Sequence, residues 1–135
     1  MTDDKLRWGV LSRSNIGRAA VNPAIQASRN GTLMAVASRE PTVAREFADK
    51  WEIPRHYGSY QDLLDDPDID AIYNPLPNSL HLEWTVRAAQ AGKHIICEKP
   101  LALSEAECRE MAAAADANDV KLLEAFMYRF HPRTD

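Results

Sequence analysis

Cysteine is scarce in this chain, with two residues, Cys97 and Cys108, in 135. They fall on an expected strand and an expected helix with no metal-ligand spacing, so two reduced, buried thiols are expected and a disulfide framework is not. Nor do the histidines make up a ligand set. His56, His94 and His131 have no acidic or cysteine partner at the necessary spacing, so no metal site is expected. Basic clusters are missing as well. With a net charge of −4 and arginines scattered singly, an extended nucleic-acid footprint is not expected. No apolar run approaches the roughly 20 residues of a membrane span. The start, Met1-Thr2-Asp3-Asp4, is acidic, unlike a signal peptide, which makes the cytoplasm the expected location. Internal repeats and low-complexity stretches are also lacking.

What is present is a globular composition. Charged residues make up 27% and apolar residues 45%, which excludes a disordered or fibrous chain. The length suits one domain with a real core and leaves no room for two.

Near the N-terminus the apolar run Trp8-Gly9-Val10-Leu11 gives way to Ser12, Arg13, Ser14 and Asn15, and a helix-compatible segment opens at Ile16-Gly17. Strand, tight turn and helix in this order place free N–H groups and the positive end of a helix dipole where a dinucleotide pyrophosphate can sit. The usual glycine fingerprint of such turns is eroded: Ser12 and Ser14 stand at its first two glycine positions, and only Gly17 keeps the third.

The rest of the chain alternates. Ile16, Ala20, Pro23, Ala24 and Ala27 share one helical face that ends before Asn30-Gly31, and Pro23 is expected to bend or break that helix. Residues 32–38 form a strand apolar on both faces. Pro41 suits a first helical turn, with Ala44, Phe47, Ala48 and Trp51 buried. Residues 55–57 make a short strand, and Ser59 starts a brief helix over 60–64. Residues 70–73 form a strand that runs into Asn74-Pro75-Leu76-Pro77-Asn78-Ser79, where two prolines make a rigid loop. A helix follows with Leu82, Val86 and Ala89 inward and Gly92 at its end. After the strand 94–98, Ser104-x-x-Glu107 is a capping box for a helix with the stripe Cys108, Met111, Ala112 and Ala115. Residues 121–126 are the last strand. Trp8, Trp51 and Trp84 are assigned to packing. The fold class is α/β, a doubly wound, mostly parallel sheet with helices on both faces.

Ligands of such sheets bind outside the carboxyl ends of the strands. Four segments meet there: residues 12–15, 38–40, 74–81 and 98–100. Ser38 and Arg39 end the second strand, where a hydroxyl and a planar cationic fork suit a ribose 2′-phosphate, and Arg13 lies across the turn to close on it. That favours NADP; Glu40 as a ribose-binding acid is the alternative and favours NAD. Glu98-Lys99-Pro100 places a lysine where it can donate to a nicotinamide ribose or to a substrate hydroxyl, oriented by a carboxylate, with Pro100 fixing the backbone in a cis or trans state. His81 is expected to line the site without catalysing, and Asn78 and Ser79 are candidate caps for its helix.

Taken together, RWGVLSRSNIGR, VASRE, YNPLPNSLHLEWTVRAAQAGKH, CEKPLALSEAECREM and LLEAFMYRFHP resemble the N-terminal half of the Gfo/Idh/MocA oxidoreductases, the family of glucose-fructose oxidoreductase and inositol dehydrogenases. The resemblance implies a Rossmann domain over residues 1–127 for hydride transfer between NAD(P) and a sugar, cyclitol or related secondary alcohol. By motif position it implies that Lys99 contacts substrate and nicotinamide ribose as the catalytic lysine, with Glu98 its neighbour at the ribose and Asn78 and His81 in the cofactor loop. With the strand-end reading, the candidate cofactor contacts are Ser12, Arg13, Ser14, Asn15, Ile16, Gly17, Ser38, Arg39, Pro75, Leu76, Asn78, His81, Glu98, Lys99 and Pro100. Residues 128–135 correspond to a linker toward a second α/β domain that carries the substrate pocket. On this basis the isolated chain is expected to bind a dinucleotide, to need that domain for a polyol or sugar substrate, and to turn over little. An uncovered surface at Phe126, Met127, Tyr128 and Phe130 favours a homodimer. The alternatives are a stand-alone dinucleotide sensor and an interaction module without catalysis.

Overall fold

Six strands, β1 (Leu6–Leu11), β2 (Gly31–Ala37), β3 (Arg55–Tyr57), β4 (Ala71–Asn74), β5 (His94–Glu98) and β6 (Leu122–Ala125), form one parallel sheet in the order β3-β2-β1-β4-β5-β6. The computed structural model describes residues 4–134; Met1, Thr2 and Asp3 of the acidic start, and Asp135, lie outside them. Five helices join the strands: α1 (Asn22–Ala27), α2 (Pro41–Trp51), α3 (Tyr60–Leu64), α4 (His81–Gln90) and α5 (Glu105–Ala117). The strand order reverses between β1 and β4, the crevice where doubly wound sheets hold their ligands.

Side-chain alternation along the strands creates two cores. Leu11, Ala35, Ala37, Ile72, Ile95 and Cys97 pack with Leu63, Leu64, Ala88, Ala89, Met111 and Ala115 of α3, α4 and α5. On the opposite face Val10, Leu33, Val36 and Tyr73 pack with Ile25, Phe47 and Ala48 of α1 and α2. Each fully buried Leu or Ile contributes about 1.5–3 kcal/mol. In β2 the alternation changes phase because an extra residue, Met34, bulges between the pairs Trp8–Leu33 and Gly9–Ala35. Leu33 and Val36 therefore face the same core.

The first helix departs from its expected face. Gly17, Asn22 and Ile25 are buried, whereas Ile16, Ala20, Ala24 and Ala27 are exposed. Nor does Pro23 break it. Residues Gly17–Val21 form a π turn, in which the Asn22 N–H donates to Gly17 O, and the α-helix continues through Pro23. A proline has no N–H to give and crowds the carbonyl four residues back, and one wide turn relieves both. The extra residue also rotates the remaining turns, which is why the sequence spacing misplaces the inward face.

Other expectations need smaller corrections. Cys97 is buried, but Cys108 is only half-buried, and both are free thiols. On α4 the fully buried residues are His81, Thr85, Ala88 and Ala89, with Leu82 and Val86 half-buried; on α5 Ala112 is exposed and Ala114 is the half-buried neighbour of Met111 and Ala115. Ser104 Oγ accepts from Glu107 N at 3.2 Å, but Glu107 Oε2 reaches back to Leu103 N at 2.9 Å, so the capping box closes one residue early. Ser59 caps α3 as expected, accepting from Asp62 N.

Charges lock the amino end of the sheet, far from the expected site. Arg7 donates to Asp70 through Nε and Nη2 at 2.9 Å each, and Arg55 binds Asp66 and Asp68. Tyr57 adds a hydroxyl to Asp66 at 2.6 Å. Burial pushes the Asp66 carboxyl up, but these donors outweigh it and bring its pKa down to about 2. Beneath them the buried Lys93 Nζ donates to Asp66 O and Ile69 O at 2.7 Å each, and burial lowers its pKa.

Candidate functional site

Strands β2, β1, β4 and β5 are consecutive neighbours in the sheet, so the four segments that follow them share one edge. At the end of β1, Ser12 N donates to Ala37 O and Ser12 itself has φ +75°. That is the left-handed region, normally taken by glycine; Glu52 and Asp119 share it at helix ends, so it is the place of Ser12 at the switch point that marks the turn. Ser14 Oγ then accepts from Gly17 N at 2.9 Å. The first-turn N–H groups of Asn15 and Ile16 have no partner within the helix. A Cβ on Gly17 would lie 2.8 Å from Ser14 Oγ and 3.5 Å from the Tyr73 ring, so glycine is kept where the helix start closes on β4. Beside it the buried Asn22 Oδ1 has no hydrogen-bond partner.

At the end of β2, Ser38 N donates to Tyr57 O, Ser38 Oγ accepts weakly from Glu40 N at 3.4 Å, and Arg39 and Glu40 are exposed. Among the described residues neither Arg13 nor Arg39 has an ion-pair partner. Both are exposed at the edge where an anion would sit.

The loop after β4 is organised from below by a residue that spacing alone does not single out. Asn74, fully buried, accepts from Leu76 N at 3.2 Å and donates to Thr85 Oγ1 at 3.2 Å. Leu76 turns its side chain into the core, whereas Asn78 is exposed in the 3-10 turn Asn78–Leu80. Neither Asn78 nor Ser79 caps α4 through its side chain. His81 does not face the loop surface; its ring is fully buried and reaches Leu76 O through Nε2 at 2.7 Å and Pro100 O through Nδ1 at 3.0 Å.

After β5, Glu98 Oε1 accepts from the Tyr73 hydroxyl at 2.7 Å, and Glu98 Oε2 lies 3.3 Å from Lys99 N. Burial raises the Tyr73 pKa, and Glu98 raises it further, so the phenol stays a donor. Lys99 and Pro100 are exposed and joined by a cis peptide bond. Leu101 N donates to Glu124 Oε2 at 2.7 Å, which ties this segment to β6. Below it burial pushes the Cys97 thiol up to about 12, an inert core group rather than a nucleophile. Tyr73, Asn74, Thr85 and Glu124 are the positioning residues that sequence reasoning missed. Among the described residues no group of three His, Cys, Asp or Glu side chains is gathered for a metal, and no helix is long and apolar enough to cross a membrane.

A left-handed turn at the switch point, unpaired first-turn N–H groups and flanking arginines fit a dinucleotide pyrophosphate. The class is thus a Rossmann-type dinucleotide-binding domain. Residues 6–126 match the Gfo/Idh/MocA oxidoreductase family model for the NAD-binding Rossmann fold, and the chain belongs to that family. It is 45% identical to the NADP(+)-dependent D-xylose 1-dehydrogenase 2 of Haloferax volcanii over 96% of its own length and 40% of that enzyme. It is 41% identical to the trans-1,2-dihydrobenzene-1,2-diol dehydrogenase of Danio rerio, over 94% of this chain and 38% of the other. Among solved structures, the 3-ketoreductase KijD10 of Actinomadura kijaniata, in complex with NADP and TDP-benzene, superposes with a TM-score of 0.91 at 35% identity, over 96% of this chain and 39% of that one. The chain spans about 40% of the length of these relatives.

Proposed function

We propose that these residues form the cofactor-binding half of an NADP-preferring oxidoreductase acting on a sugar, cyclitol or related secondary alcohol. The observation that carries this is the shared edge: the Ser12 turn, Arg39 and Lys99 follow β1, β2 and β5 of one parallel sheet, and Tyr73 of β4, the strand between β1 and β5, anchors Glu98. The N–H groups of Asn15 and Ile16, with Ser12, Ser14 and Gly17, hold the pyrophosphate. Ser38, Arg39 and Arg13 hold the 2′-phosphate, where a guanidinium fork makes paired, charge-assisted hydrogen bonds. Pro75, Leu76 and Asn78 border the cofactor from the β4 side, Leu76 through its backbone.

A bound nicotinamide supplies the hydride acceptor or donor. In the oxidative direction the alcohol carbon would give up its hydride to such a cofactor while the hydroxyl proton passes to water, leaving a carbonyl. Lys99 hydrogen-bonds that hydroxyl and orients it, with Glu98 and Pro100 fixing the lysine's backbone. His81 supports the edge from inside. NADP preference is also supported by the NADP-dependent relative and by the NADP-bound structure.

Hydride transfer needs a substrate held against the nicotinamide, and on this reading the 135 residues by themselves bind dinucleotide and turn over little. Isothermal titration with NADP and NAD tests the reading: tighter NADP binding is expected, and equal or tighter NAD binding overturns the preference. Met127, Tyr128 and Phe130 are 75%, 57% and 65% exposed, which supports self-association of this chain through that surface. A concentration-dependent sedimentation coefficient is expected, and a monomer at every concentration refutes it.

A further inference from the structure

We propose that His81 is a positioning residue for the cofactor edge, held as a doubly protonated imidazolium that clasps the loop after β4 to the loop after β5. Its ring is fully buried. Nδ1 lies 3.0 Å from Pro100 O and 3.1 Å from Leu101 O, and Nε2 lies 2.7 Å from Leu76 O. All three partners are backbone carbonyls, which accept hydrogen bonds and never donate them. A neutral imidazole carries one N–H, so either tautomer turns a ring lone pair onto a carbonyl oxygen at contact distance. Two ring protons remove that conflict: Nε2–H donates to Leu76, and Nδ1–H is shared between Pro100 and Leu101.

Burying a cation is costly unless it is well hydrogen-bonded. Here three carbonyl dipoles surround it, and the Nε2 contact of 2.7 Å stands at the short end of N–H···O distances. A carboxylate also acts on the same stretch, since Glu124 Oε2 accepts from Leu101 N. Leu101 is thereby gripped through its N–H by an anion and through its carbonyl by the ring. The other ionisable groups on the clasped segment are Cys97, Glu98 and Lys99, of which Lys99 is exposed.

The consequence rests on the cofactor reading above. Leu76 borders the expected cofactor, and Pro100 directly follows Lys99, so the width of one imidazole sets the separation of the two segments. A histidine that merely filled space would need no second proton.

Two measurements on the 135-residue chain test this. Long-range 1H–15N spectra of ring-labelled histidine at neutral pH are expected to show both His81 nitrogens protonated; a bare nitrogen overturns the charge assignment, with or without any variant that folds. His81→Gln, whose amide donates from one end only, is expected to raise the NADP dissociation constant about tenfold while keeping a dispersed amide spectrum. An unchanged constant in the folded variant overturns the positioning role alone. Wild-type chain that binds no dinucleotide brings down the cofactor reading and the positioning role with it, while the ring spectrum still decides the clasp.

Discussion

The Tyr73 hydroxyl donates to Glu98 Oε1 at 2.7 Å, joining the ends of β4 and β5 directly beside Lys99. Tyr73 is fully buried and Glu98 half-buried, so the phenol holds the carboxylate from inside the sheet. Tyr73→Phe keeps the packing and removes that bond, and is expected to destabilise the chain by about 1.5 kcal/mol. Urea denaturation measures this cost. NADP titration of the folded variant is expected to show weakened binding, because Glu98 is then free to swing away from the edge.

Arg39 has no carboxylate partner among the described residues, so its substitution should cost the fold little. Arg39→Ala is expected to weaken NADP binding tenfold or more, roughly the value of a charge-assisted pair. NAD binding should change by no more than about twofold. Parallel titrations that move together would show that Arg39 does not read the phosphate.

Gly9 and Gly92 resist substitution for different reasons. A Cβ on Gly9 would meet Leu63 Cδ2 at 2.6 Å and Ile72 Cδ1 at 3.2 Å, whereas one on Gly92 would meet nothing within 4 Å but sit at φ +77°. Gly9→Ala is expected to cost about 1–3 kcal/mol by overpacking. Gly92→Ala should cost about 1 kcal/mol through backbone strain alone. In thermal melts, Leu63→Ala should recover part of the first loss and none of the second.

Acid should loosen the amino end of the sheet first. The folded chain holds the Asp66 proton more weakly than the unfolded chain, with a pKa of about 2 against 3.8. The stability it contributes is therefore complete above about pH 4 and is lost as pH falls toward 2. Circular dichroism against pH is expected to place much of the acid transition in that window, and Asp66→Asn should make stability flatter across it.

Strand positions were legible because each is a short apolar run bounded by turn residues, as with β5, whose limits His94 and Glu98 are those of the sequence pattern. The phase of the first helix was not, since a π turn inserts a residue that no hydrophobic periodicity announces. The turn, Arg39 and Lys99 stand at strand ends, where doubly wound topology directs attention. Their supports were hidden for another reason. His81 bonds only to backbone carbonyls, and Tyr73 meets Glu98 across 25 residues of sequence; neither relationship leaves a mark in residue spacing.

The strand order β3-β2-β1-β4-β5-β6 also has a consequence for a chain still being synthesised. The first three strands can pair among themselves, yet they present only the turns at Ser12 and Arg39. β4 must then add on the far side of β1, and β5 beside it, before Lys99 comes alongside. Any dinucleotide that straddles this seam can stabilise the nascent domain only after most of it has emerged, so until then the first three strands rest on their own ladder hydrogen bonds and apolar contacts.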